Sequence, residues 1–151
     1  MDEAIKVKIL ALLDQHRIMT VATLRPDGWP QATTVGYVSD GLTLYFLCGL
    51  NSQKSDNLLA DGRLSLTIDH DTPDIMAIAG LSMAAQADVV TDPDEADKVL
   101  RLLPSKYPGT VLPESLPLPT RDQVRIFRVT PKVISVLDYS KGFGHTDLVV
   151  C

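Results

Sequence analysis

The chain has 151 residues, 45% of them hydrophobic and 22% charged, a balance that fits one folded domain over 1–151 with a sizeable buried core. Its net charge of −5 and pI near 5.0 argue against nonspecific binding to nucleic acid or to an anionic membrane, both of which need a basic surface. Two cysteines, Cys48 in an apolar run and Cys151 at the last position, make neither a disulfide framework nor a Cys/His metal spacing, which fits a reducing compartment.

The first predicted element is a helix over 2–15. Ile5, Ile9, Leu12 and Leu13 recur at helical spacing, and Asp2 and Glu3 suit the positive end of its dipole. This start lacks the basic region and long apolar core of a signal peptide. No apolar run reaches the ~20 residues of a membrane span, so the expected location is the cytoplasm. A strand over 19–24 runs into Arg25-Pro26-Asp27-Gly28, a turn in which Pro presets φ and Gly accepts a positive φ. A second strand, 31–38, ends at Asp40-Gly41, a strong hairpin signal, and a third strand covers 42–48. With no room for a crossover helix, the three predict an antiparallel meander.

Residues 53–60 predict a short helix capped by Asn51 or Ser52, and 63–69 a fourth strand. The stretch 75–90 is ambiguous. Its Ala-rich middle favours helix by propensity, but the flanking Ile and Val residues and Gly80 favour a long bent strand, which is the reading adopted. Asp92-Pro93-Asp94-Glu95 opens a helix running to about Leu103, and the Pro-rich stretch 104–119 reads as a surface loop. Two last strands, 124–130 and 132–137, flank Pro131. Strands outnumber helices, and a closed or nearly closed barrel removes exposed sheet edges.

Between residues 18 and 58 the order of short motifs becomes specific: Thr20-Val21-Ala22-Thr23, Asp27-Gly28-x-Pro30, Asp40-Gly41, Leu44-Tyr45-Phe46, and Ser52-x-Lys54-x-x-Asn57-Leu58. This pattern resembles the pyridoxamine 5′-phosphate oxidase-like family, over roughly residues 5–138. The resemblance implies a mainly β fold, a six-stranded antiparallel split β-barrel of the FMN-binding type. It also implies a homodimer with FMN in a cleft between subunits. Some relatives take the deazaflavin F420 instead, and a few take haem or no cofactor. Carried over, Gln31, Thr33 and Thr34 lie near the isoalloxazine ring, and Ser52, Lys54 and Asn57 near the phosphate. A helix start with a hydroxyl and a lysine suits a phosphate on physical grounds as well.

The strand over 31–37 carries no Arg or Lys, and the chain lacks the Arg-x-His motif with which true vitamin B6 oxidases grip their substrate. The expectation is therefore an FMN-dependent oxidoreductase of this family other than a vitamin B6 oxidase, acting on a small-molecule substrate or electron acceptor. No protein acid or base is named. The alternatives are a non-catalytic flavin-binding or stress-related protein, and an F420-dependent reductase. The tail 139–147, with two glycines, Tyr139, Phe143 and His145, reads either as a flexible strap anchored by Phe143 or as a flap over the ligand cleft. Neither His145 with Asp147 nor His70 between Asp69 and Asp71 amounts to a metal site.

Overall fold

The computed structural model describes residues 1–110 and 119–151. In chain order the elements are α1 (Glu3–Gln15), β1 (Ile18–Leu24), β2 (Pro30–Gly36), β3 (Val38–Asp40), β4 (Thr43–Gly49), α2 (Gln53–Ala60), β5 (Arg63–Ile68), β6 (Ala79–Val89), α3 (Pro93–Lys106), β7 (Val124–Asp138) and β8 (Thr146–Val150). The strands form one antiparallel sheet in the order β2-β1-β5-β6-β7-β4-β3, with β8 added to the far part of β7.

Strands β2 and β3 stand at opposite ends of that order yet are separated in the chain only by Tyr37. The sheet must therefore curl until its two ends meet. β2 pairs with β1 and β3 with β4, so both hairpins of the predicted antiparallel meander form, and its middle strand is bent at Tyr37 and joins both edges. Counted as one, β2 and β3 give six barrel strands, and β8 is the addition that the sequence reading lacks. The wall is split where β2 and β4 run unpaired.

The bend at Tyr37 has a local cause. The Tyr107 hydroxyl donates to the Arg17 carbonyl and accepts from the Tyr37 N–H at 2.8 Å. A Cβ on Gly36 would come within 2.7 Å of that hydroxyl, so glycine lets the end of α3 seat against the bend. Lys106 Nζ also donates to the Leu13 carbonyl at 2.6 Å. These tethers, gained only in the folded chain, hold a last turn of α3 that contains Pro104 and extends past the expected end at Leu103.

Alternation places the core. Val21, Leu66, Met83 and Ile134 point inward from neighbouring strands, where they meet Phe46, Phe127 and the α1 residues Ile9 and Leu13. The Phe46 and Phe127 rings stack with centroids 5.5 Å apart. A second cluster, Val38, Tyr45, Ala96, Val99 and Ile126, fixes α3 to the outer face of β3, β4 and β7. The Ala-rich stretch is a strand because Ala85 and Ala87 fill tight inward positions on β6, and packing overrides helix propensity there.

Three expectations about the C-terminal third need correction. The segment around Pro131 is one 15-residue strand rather than two. Its pairing with β6 jumps from Ala85↔Pro131 to Ala84↔Val133, a bulge, where a residue without an N–H is tolerated. The end of the chain is not a flexible strap. Residues 146–150 pair with 133–137 of β7, Val149 joins the core, and Phe143 is exposed rather than an anchor. Of the Pro-rich stretch expected as loop, 104–106 belong to α3, and 111–118 lie outside the described residues.

Candidate functional site

Of the site residues expected from the sequence, Ser52, Lys54 and Asn57 lie at the start of α2 or within it and Gln31, Thr33 and Thr34 on β2, and Asn57 links the two elements through Gln31. Ser52, not Asn51, caps α2, its Oγ accepting from the Ser55 N–H at 3.1 Å. That leaves the hydroxyl proton of Ser52 free to donate. The N–H groups of Gln53 and Lys54 point out of the first turn, with no acceptor inside the helix. Lys54 is half-buried and forms no ion pair among the described residues. The exposed Asp56 is the one acid of that turn.

Asn57 has a different environment. It is fully buried, its Nδ2 donates to Thr23 Oγ1 at 3.0 Å and to Gln31 Oε1 at 3.2 Å, and its Oδ1 accepts from Gln53 Nε2 at 2.8 Å. Every polar atom of this side chain faces protein. Asn57 pins α2 to the strands and orients Gln31, whose own side chain is half-buried.

On β2, Thr33 is half-buried and Thr34 exposed, and alternation sends them to opposite faces. Thr33 shares the inward face with Val21, and Thr34 the outward face with Thr20. Their side chains cannot meet one ligand atom together. What they share is backbone: β2 is the terminal strand of the sheet, and its second edge carries no ladder partner among the described residues. That edge offers alternating N–H donors and C=O acceptors beside α2.

The structure adds a residue that the sequence reading missed. Arg125, at the start of β7, donates from Nη1 to Ser55 Oγ at 2.6 Å and to the Leu50 carbonyl at 3.2 Å. Ser55 is fully buried. Arg125 lies 70 residues beyond Ser55 in the chain. Its only signal in the sequence is a charged residue beside the first position of β7.

Two hollows flank this corner. One, of about 380 Å³, lies between the starts of α3 and β7, with Leu50 and Arg125 in its lining. The other is an open groove of about 520 Å³ on the outer face of the sheet. Its floor is apolar, from Ala22, Leu24, Pro30 and Ala84, and Arg63 and Lys132 lie along it.

A strong electrostatic perturbation lies away from this corner, on α3. Arg128 donates to both oxygens of Glu95, through Nε at 2.9 Å and through Nη2. Tyr45 donates to Oε2 at 2.8 Å. The Arg128 hydrogen bonds hold the Glu95 carboxyl at about 2, against an ordinary 4.5, and Tyr45 adds to the effect.

The family model for pyridoxamine 5′-phosphate oxidase matches residues 5–138. Among solved structures, a conserved hypothetical protein of Mycobacterium tuberculosis is similar at TM-score 0.77 and 27% identity, over 97% of this chain and 91% of that one. An F420 reductase is similar at TM-score 0.65 and 26% identity, over 83% and 94%. HutZ, a haem storage protein of Vibrio cholerae, is similar in fold at TM-score 0.68 and 16% identity, over 95% and 92%. No curated protein sequence matches this chain.

Proposed function

The chain belongs to the pyridoxamine 5′-phosphate oxidase family, and on that premise we propose that it is an FMN-binding, flavin-dependent oxidoreductase. The observation that carries this reading is the corner where α2 meets β2. A half-buried lysine without an ion-pair partner, a capping serine with a free hydroxyl proton and two open N–H groups converge at one helix start. That donor set fits a phosphate monoester. The unpaired edge of β2 offers the paired donors and acceptors that a flavin ring needs along its nitrogen and oxygen edge.

In this reading Ser52 and Lys54 hold the phosphate, and the β2 backbone at 31–34 orients the ring. Asn57 acts from behind, by fixing Gln31 and the helix that carries Lys54. Bound flavin would supply hydride or single-electron transfer, and the protein would tune it through hydrogen bonds to the ring. Homodimerisation completes the proposal. The outward sheet face is paved with small residues such as Ala22, Ala32, Ser65 and Ala84, and Ile18, Leu148 and Val150 stand exposed on the same face. A second copy related by a two-fold axis would cover that surface.

The test is a pair of titrations. Lys54→Ala should weaken FMN binding by about 1–3 kcal/mol, the scale of a charge-assisted hydrogen bond, and leave riboflavin binding nearly unchanged. Equal losses for both ligands would remove Lys54 from the phosphate. Tight binding of F420 with no binding of FMN would favour the deazaflavin reading, which the likeness to an F420 reductase supports. Light scattering at micromolar concentration should give about twice the 16.5 kDa chain mass. A monomer at every concentration would end the shared-cleft proposal.

A further inference from the structure

We propose that Arg125 is a positioning residue for the phosphate donors at the start of α2, a role that rests on the FMN reading above. One nitrogen of its guanidinium brackets the donor set. Nη1 donates to the Leu50 carbonyl at 3.2 Å and to Ser55 Oγ at 2.6 Å. Ser52 and Lys54 lie between those two attachment points in the chain.

The clamp is built on the sheet. Arg125 is the second residue of β7 and pairs with Cys48 on β4, and Gly49, the last residue of β4, pairs with Val124. The chain then leaves the sheet through a turn closed by the Ser52 N–H on the Gly49 carbonyl at 3.2 Å. Leu50 and Asn51 are exposed in that turn, so packing does little to hold it. An arginine suits the task. The two N–H bonds of Nη1 diverge in the plane of the guanidinium, so both acceptors are fixed relative to each other.

The link reaches the phosphate donors through Ser55. That residue is fully buried. Its Oγ accepts from Arg125, and its N–H donates to Ser52 Oγ at 3.1 Å. Arg125 therefore sets Ser55, and Ser55 sets the Ser52 hydroxyl whose proton remains to donate. The Leu50 contact fixes the chain on the other side of the same cap. Without the clamp the turn would be ordered only as the ligand arrives, and that ordering entropy subtracts from affinity. Asn57 ties α2 to Thr23 and Gln31, so it governs how the helix lies on the strands. Arg125 governs where its first turn begins.

The experiment measures FMN and riboflavin affinity by flavin fluorescence for the unaltered chain, Arg125→Met and Ser55→Ala. Arg125→Met keeps an apolar stem and removes both hydrogen bonds. It should weaken FMN about tenfold and leave riboflavin within about twofold. Ser55→Ala keeps the arginine and every residue assigned to the phosphate. It should weaken FMN by about threefold, again with riboflavin unmoved. In the ligand-free chain, NMR relaxation should show the amides of residues 50–54 more mobile in Arg125→Met, with those of β5 unchanged. Equal losses for FMN and riboflavin, or a lower melting temperature with both affinities intact, would make Arg125 a tie for folding alone and overturn the proposal. Weaker FMN binding in Arg125→Met with unchanged binding in Ser55→Ala would also overturn it, because the arginine would then act on the phosphate directly. If Arg125→Met does not fold, Ser55→Ala decides by itself, and unchanged FMN affinity there ends the proposal. An unaltered chain that binds FMN no more tightly than riboflavin would instead sink the phosphate reading, and this inference with it.

Discussion

Two polar hubs hold the short helix α2 and the longer helix α3 to the same sheet by opposite means. Asn57 fixes α2 with neutral hydrogen bonds in a fully buried position. Glu95 fixes α3 with an ion pair to Arg128 at a partly exposed one. The neutral hub consumes no charge, so the cation on α2, Lys54, remains available. The charged hub consumes Arg128 entirely. A helix meant to present charge to a ligand is better anchored by groups that carry none, because a neighbouring ion would compete for the same cation.

The comparison breaks most sharply at Asn57. Asn57→Ala strands Thr23, Gln31 and Gln53 together, two of them inside the wall, and unsatisfied buried groups are expensive. The expected loss is about 3 kcal/mol of unfolding free energy from denaturant titration, with no dependence on pH between 3 and 8 or on salt. A loss that fades with added salt would mean that the hub is not neutral.

Glu95→Gln should cost less, about 1–2 kcal/mol, because the pair is partly solvated and screened. Its signature is the pH dependence. The folded carboxyl is held at about 2, below its ordinary 4.5, so its contribution is complete above 4.5 and is lost as pH falls toward 2. The variant should shed that part of the acid transition and keep the part due to Asp138, which Lys8 and Ser140 also hold at about 2. An unchanged acid transition would remove Glu95 from the account. The smallest effect belongs to Ser52→Ala. Loss of the cap should lower stability by about 1 kcal/mol, and a change well below that would mean that the Ser55 N–H finds another acceptor.

Much of this was legible in the sequence because it is local. The cap at Asp92 with Pro93, the Asp40-Gly41 hairpin and the helix over α2 depend on residues within a few positions of one another. Their side chains decide the backbone before any packing occurs. The same holds for Ser52 and Lys54, whose spacing alone places them on one helix start. The break at Pro131 was misread for the same reason. Proline signals a missing donor locally, but whether that donor is needed depends on the partner strand, and the bulge against Ala84 and Ala85 removes the need.

The sequence by itself therefore determined most of the elements up to β7, their antiparallel character and the helix start that carries the candidate phosphate donors. The tertiary structure alone decided three things. It joined β2 and β3 to opposite edges of one sheet through Tyr37, with Tyr107 arriving from 70 residues away. It turned Asn57 inward, and it brought Arg125 to Ser55 across 70 residues. Each of these is a contact between groups far apart in the chain. Nothing near them in sequence signals it, because the free energy that fixes it comes from burial and hydrogen bonding gained only when distant strands close on one core.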